Sequence, residues 1–318
     1  LRGAPRFGAL SRGIGIVVAP LALRRLLLRE RVDRVYSLLH LPNAIAWLGT
    51  RGRLRGRLVW GLRGSETRLP WRRSLPLRFC RAVSGSVPRI VCNSRAGLEV
   101  FRDAGFRVDR AVLVPNGIDA DRFRPDPEGA RRLRGVLDLP PDAPLIGIVG
   151  RIAPGKGHEL FLAAAQRVAV ERPDARFLVV GDGPEEMLAA LRRRAEQPER
   201  AGRVLWLGHR ASLAPVYSAL SVAVCCSVAE GFPNVVCEAM ACGTTCVVTD
   251  VGDAAWIVEE SGLVVPPGDA PALAQAVLEA VATPARDPRR RVVDRFSVSS
   301  LGTETLRALG VEDDRGEG

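Results

Sequence analysis

The second half of this chain alternates so regularly that it leaves little choice of fold. Apolar, β-branched stretches recur at 145–150, 177–181, 204–207, 222–226, 245–249 and 263–265. Helical patterns fill the intervals at 158–171, 185–196, 213–220, 234–242, 254–259 and 270–281. Short apolar strands, each followed by a helix, assemble into a doubly wound parallel sheet with both faces covered. Ligands of such sheets bind beyond the carboxyl ends of the strands, so the informative loops are those that follow strands.

The first half is less regular. Its pattern predicts a helix over 22–30, a strand near 34–39, a helix over 44–48 and a strand over 58–62. A short strand over 90–92 then ends at Asn93-Ser94, followed by a helix over 96–104 and a strand over 111–114. Pro and Asp thicken at 119–127 and again at Pro140-Pro141, which reads as a linker. A chain of 318 residues exceeds one ordinary core. The expected division is 1–120, 121–296, and a C-terminal helix with a polar tail over 297–318.

Charge is distributed unevenly. Residues 1–119 hold 23 Arg against 7 acidic residues, a net of +16, and the remainder of the chain carries −5. Two readings account for this. The first half meets an anionic membrane surface or a lipid-phosphate substrate, or the composition simply favours arginine, because the chain has one lysine. Aromatic content of 5%, with no zinc-finger, RRM or homeodomain pattern, argues against a nucleic-acid partner. No run approaches the roughly 18 apolar residues of a membrane span, and no secretory leader opens the sequence. Seven cysteines without a Cys-x-x-Cys pair, beside three histidines, predict neither a disulfide framework nor a zinc site. The expected location is cytoplasmic, peripheral at the inner face of a membrane.

Two loops carry the chemistry. Gly150-Arg151-Ile152-Ala153-Pro154-Gly155-Lys156-Gly157 closes the strand at 145–150. It fits G-x-x-x-x-G-K but ends in Gly157, where a nucleotide-hydrolysing P-loop needs a hydroxyl for magnesium. Two cations and three glycines at a strand end still suit a diphosphate. Glu230-Gly231-Phe232-Pro233-Asn234 follows the strand at 222–226 and opens a helix whose free amides and dipole favour an anion. Glu230, and Glu238 one turn into that helix, suit sugar and ribose hydroxyls better than phosphate. The literal D-x-D at Asp119-Ala120-Asp121 lies in the linker rather than after a buried strand, and is read as coincidence.

Together these residues resemble the donor half of glycosyltransferase family 4. The resemblance rests on Arg151 and Lys156-Gly157, on Gly181-Asp182-Gly183-Pro184-Glu185, and on the two glutamates of Glu230–Glu238. It is supported by Asn116-Gly117-Ile118-Asp119 and Asn93-Ser94. It implies the GT-B fold, two Rossmann-like domains facing across a cleft, and metal-independent, retaining transfer from a nucleotide-diphosphate sugar without a cofactor. It further implies that Arg151 and Lys156 hold the diphosphate and that Glu238 binds ribose. Glu230 and the turn of Gly231, Phe232, Pro233 and Asn234, with its free amides, take the transferred sugar and its phosphate, while Gly157, Gly181 and Gly183 line the donor loops. His40-Leu41-Pro42-Asn43 resembles the family's H-x-P-N turn, placing His40 near the donor sugar, and Arg63 is a candidate for acceptor or phosphate contact. The expected partners are a nucleotide sugar and a glycan or lipid-linked acceptor. The family opens on a strand, a Gly-rich loop and a helix, so a further segment of roughly 60 residues is expected upstream. Gly252-Asp253-Ala254-Ala255-Trp256 departs from the family's usual glutamate-containing turn. Competing readings are an epimerase or phosphorylase of the same fold, or a non-catalytic nucleotide-sugar-binding module.

Overall fold

The computed structural model describes residues 9–63, 74–140, 142–196 and 203–311, with side chains from residue 18 onward. The polar tail at 312–318 and the residues that follow Arg63 lie outside these. The chain forms two units, one of residues 1–114 with 303–318 and one of residues 115–302. Each is built on a parallel sheet with helical connections, the two-sheet α/β architecture implied by the resemblance.

The first unit runs α1 (Ala9–Arg29), β1 (Val35–Leu38), α2 (His40–Gly49), β2 (Leu58–Leu62), α3 (Leu75–Val83), β3 (Arg89–Cys92), α4 (Arg95–Asp103) and β4 (Ala111–Leu113). Its strands lie in sequence order, all parallel. Trp60, Leu58, Leu62, Ile90, Phe101 and Leu77 fill its core at 1% exposure or less. The helix expected over 22–30 starts at Ala9 and runs through Pro20. The sequence reading opened it after that proline, which costs a helix interior one hydrogen bond.

The second unit runs α5 (Pro127–Val136), β5 (Leu145–Val149), α6 (His158–Glu171), β6 (Arg176–Val180), α7 (Glu185–Ala195), β7 (Val204–Gly208) and α8 (Ala214–Ala219). It continues through β8 (Val222–Cys225), α9 (Asn234–Ala241), β9 (Thr245–Thr249), α10 (Ala254–Val258), β10 (Gly262–Val265), α11 (Ala270–Ala282) and α12 (Pro288–Arg295). The last helix, α13 (Val298–Leu309), begins here and ends in the first unit. Successive strand residues point to opposite faces, and the core divides accordingly. Leu145, Leu178, Val180, Cys225 and Val248 pack on one side, with α8, α9 and α12. Ile146, Ile148, Phe177, Val179, Val224 and Val247 pack on the other, with α6, α7 and α11. That two-sided burial is why the strands read as continuous apolar runs.

The units divide after Val114 rather than at 120. Residues 115–120 stay with the second unit because Ile118 donates to the Phe296 carbonyl at 2.7 Å and accepts from the Val298 amide at 3.2 Å. No helix among the described residues is long and apolar enough to cross a membrane.

Candidate functional site

Strand order places the site in the second unit. The sheet reads β10-β9-β8-β5-β6-β7. The chain enters at β5, winds outward through β6 and β7, then returns to place β8 on the opposite side of β5. Connections reverse direction between β5 and β8, and the crevice beyond the carboxyl ends of those two strands is where such sheets bind ligands. The loops that leave β5 and β8 are the two singled out from sequence.

They are joined at several points. The Val228 amide donates to the Gly155 carbonyl at 2.8 Å, and the Cys226 thiol donates to the Gly157 carbonyl at 3.1 Å. Lys156 Nζ reaches Glu230 Oε1 at 2.5 Å, and the Ser227 hydroxyl donates to the same oxygen at 2.7 Å. Glu230's side chain is 7% exposed and that of Lys156 35%, so the ammonium stays within reach of a ligand while the carboxylate is nearly covered. Arg151 is exposed one turn earlier on the same loop. Gly157 holds φ at +76°, and a Cβ there would lie 1.9 Å from the Cys226 carbonyl oxygen. Only glycine allows the two backbones to approach this closely.

The flanking loops rest on this pair. A Cβ on Gly181 would lie 1.9 Å from the Gly150 oxygen, and one on Gly183 would lie 2.2 Å from the Ile152 oxygen. The loop after β6 therefore presses its bare backbone onto the first loop. After β9, the buried Thr249 hydroxyl donates to the Ser227 carbonyl at 2.7 Å, and the Asp253 amide donates to the Gly231 carbonyl at 2.8 Å. The divergent Gly252-Asp253 turn thus still supports the Glu230-Gly231 segment through its backbone. Phe232 packs edge-on against Phe296, ring centroids 5.4 Å apart, and against Trp256 at 6.5 Å.

Pro233 is the N-cap of α9, one position before the helix, so Asn234 is its first residue and exposes its amide end. The Asn234 carboxamide accepts from Asn116 at 2.9 Å. Glu238 is not paired with Glu230. Its Oε2 accepts from the Tyr217 hydroxyl at 2.9 Å, and burial raises its pKa against the lowering effect of Tyr217 and Arg122. His158, the first residue of α6, is 5% exposed, and neither ring nitrogen has a partner among the described residues. Burial, and then the neighbouring Lys156 charge, lower its pKa to about 4.

The remaining candidates belong to the first unit. His40 opens α2 after β1, its ring edge-on to Phe101 at 6.0 Å, its Nδ1 buried without a partner among the described residues and its pKa lowered by burial. Asn43 of the same turn is fully buried, accepts from Ser37 at 2.7 Å and donates to the Gly61 carbonyl at 3.2 Å, tying α2 to the ends of β1 and β2. Arg63 follows β2, is exposed, and opposes the burial-driven rise of the Tyr36 phenol. His40, Arg63 and Asn93-Ser94 all follow carboxyl ends of adjacent strands. Asp119 Oδ1 accepts from the amides of Asp121 and Arg122 at 3.1 and 3.0 Å, so the D-x-D carboxylate closes a turn. Among the described residues no cluster of His, Cys, Asp and Glu has metal-binding geometry. Ser227, Thr249 and Tyr217 escaped the sequence reading. A scan for hydroxyls at or just beyond the carboxyl ends of buried strands would have found the first two.

Comparison with known proteins gives the family and the fold. Residues 2–122 match the profile described as Glycosyltransferase Family 4, and residues 143–283 match Glycosyl transferases group 1. A D-inositol 3-phosphate glycosyltransferase of Geodermatophilus obscurus is 38% identical over 263 residues, 78% of this chain and 54% of that protein. A GDP-mannose-dependent α-(1-6)-phosphatidylinositol monomannoside mannosyltransferase of Mycolicibacterium smegmatis is 32% identical over 193 residues, 57% of this chain and 50% of that one. The matches thus span about half the length of these relatives. The Anabaena protein HepE, solved with UDP, superposes with a TM-score of 0.81 at 22% identity, over 92% of this chain and 82% of that one. The chain belongs to the GT4-type glycosyltransferases.

Proposed function

We propose that the chain moves a sugar from a nucleoside-diphosphate sugar to a glycan or lipid-linked acceptor, with retention of anomeric configuration and without a metal ion. The observation that carries this is the convergence of Lys156, Glu230 and the open end of α9 at the switch point between β5 and β8. Breaking the bond between the sugar's anomeric carbon and the diphosphate leaves negative charge on the departing phosphate and positive charge on the ring. Fixed cations at Arg151 and Lys156, with the backbone N–H groups of Gly231, Phe232 and Asn234, stabilise the departing charge without reorganising, which is commonly the largest catalytic contribution. Glu230, held by Ser227, is placed to accept hydroxyl groups of the sugar, and Glu238 those of the ribose. The acceptor hydroxyl forms the new bond to the anomeric carbon and gives up its proton to the leaving side.

The relatives' uridine and guanosine nucleotides are the first probes. The chain, with UDP- and GDP-sugars and a lipid-linked or glycan acceptor, is expected to release nucleoside diphosphate only when acceptor is present. Release without acceptor points to epimerisation or hydrolysis, and nucleotide binding without any turnover points to a binding module. NMR of the fresh product reads the anomeric configuration. Flotation with vesicles of neutral or anionic lipid tests whether the arginine-rich first unit associates with a charged membrane surface; equal recovery with both would retire that reading.

A further inference from the structure

Tyr217 is a large, almost completely buried side chain at 1% exposure, and it keeps a hydroxyl where phenylalanine would fill the same space. Buried phenols need a partner, and this one donates to Glu238 Oε2 at 2.9 Å. The tyrosine is pinned at both ends. Its amide donates to the Leu213 carbonyl at 2.9 Å, its carbonyl accepts from the Thr244 hydroxyl at 2.7 Å, and its ring lies against Phe123 with centroids 6.3 Å apart. Glu238, by contrast, is half-buried on α9, and its second oxygen, Oε1, takes no hydrogen bond among the described residues. One carboxylate oxygen is therefore fixed by the core and the other is left to accept.

We propose that Tyr217 is a positioning residue for nucleotide recognition: by anchoring Oε2 it sets the rotamer of Glu238 and presents Oε1 to the hydroxyls of a nucleotide ribose. This rests on the reading of Glu238 as the ribose acceptor. A long glutamate chain in water samples many rotamers, and fixing one of them before binding removes an ordering cost that would otherwise weaken the complex. The phenol also donates to the charged form of a carboxylate that burial pushes toward protonation. That keeps the group an acceptor rather than a donor.

The test uses the full chain and calorimetric titration with UDP, GDP and their 2′,3′-dideoxy counterparts. In the wild type, removing the ribose hydroxyls is expected to weaken binding roughly 10- to 100-fold, the worth of hydrogen bonds to a charged acceptor. In Tyr217→Phe the ribonucleotide is expected to weaken about fivefold or more while the dideoxy form is unchanged, so that their ratio falls by the same factor. Adding Tyr217→Phe to Glu238→Ala is expected to change nothing further. A variant that folds and keeps the full wild-type ratio overturns the positioning role and leaves the ribose reading standing. A wild type that binds neither nucleotide, or does not distinguish them from the dideoxy forms, overturns both. Should Tyr217→Phe not fold, the wild type carries the test. The chain has only two tyrosines, Tyr36 and Tyr217, so incorporated fluorotyrosine gives two fluorine resonances. The Tyr217 signal is expected to shift with the ribonucleotide and not with its dideoxy form, and a Tyr217 signal blind to both overturns the proposal.

Discussion

Every basic Lys or Arg position in this chain is arginine except residue 156, and that one ammonium lies 2.5 Å from Glu230. A guanidinium is a broad planar fork, whereas an ammonium is a compact point charge that turns from a carboxylate to a phosphate with little displacement. Lys156→Ala is therefore expected to lower kcat at least about 100-fold, as removal of one oxyanion donor does, with a smaller change in KM, measured by nucleoside diphosphate release. Gly157→Ala tests the neighbouring backbone. The left-handed φ alone costs a non-glycine residue roughly 1–3 kcal/mol, and the Cβ would overlap the Cys226 carbonyl. The expected result is a lower melting temperature together with weaker nucleotide binding, because the loops after β5 and β8 must part. His158 makes a statement about pH. Unfolded, its imidazole takes a proton near 6.5; folded, only near 4. Between those values the unfolded chain binds more protons, so stability falls as pH drops from about 6.5 to about 4, by roughly 2–3 kcal/mol for this residue. His158→Phe is expected to flatten that part of the curve in urea melts recorded from pH 4 to 7.

At the level of helices, arginine has a structural use that net charge conceals. Arg289 donates to the carbonyls of Ala241, Phe123 and Ala120 at 2.5–2.9 Å, covering the end of α9. Arg291 does the same for Ile257 and Trp256 of α10, Arg203 for Ala169 of α6 and Arg134 for Ala219 of α8. Each satisfies carbonyls that a helix leaves without an internal partner and adds positive charge at the negative end of the dipole. Arg289→Ala is expected to destabilise by roughly 1–3 kcal/mol and to lower Tm by roughly 3–10 °C in calorimetry. Arg289→Lys should recover little, since one ammonium cannot span three carbonyls. The same scale explains what could be read in advance. Strand β9 and helix α6 have the same limits in sequence and structure because two-sided burial demands an unbroken apolar run and Gly157 marks the helix start. Helix α5 has no counterpart in the sequence reading, which leaves the residues between the Pro- and Asp-rich stretches at 119–127 and 140–141 unassigned. In the structure Asp126 caps the Gly129 amide at 2.8 Å and Pro127 occupies the first turn. Asp269 and Asp287 cap α11 and α12 in the same way, each with a proline in the first turn. The Lys156 and Glu230 loops were legible because their glycines and charges are local. The Tyr217–Glu238 bond was not, because it joins side chains 21 positions apart on different helices and no spacing rule announces it.

For the whole molecule, the two units differ in how the chain supplies them. Residues 115–302 are contiguous and contain the six-stranded sheet with a core on each face. Expressed alone, this stretch is expected to melt cooperatively and to retain nucleotide binding, judged by stabilisation with UDP or GDP; loss of that stabilisation in the Lys156→Ala version of the fragment would locate the binding at the same loops. The first unit is discontinuous. Arg34, just before β1, and Arg89, the first residue of β3, both donate to the Leu309 carbonyl, at 2.7 and 2.6 Å. A fragment of residues 1–114 leaves those guanidinium groups without that acceptor and is expected to melt at lower temperature than the same unit in the intact protein. The discontinuity also sets an order of events on the ribosome. Domains usually mature from the amino terminus as they emerge, yet here the opening sheet must wait for residues 303–311 to leave the exit tunnel. The later-made module completes itself first, and the earlier one is sealed only once residues 303–311 have followed it.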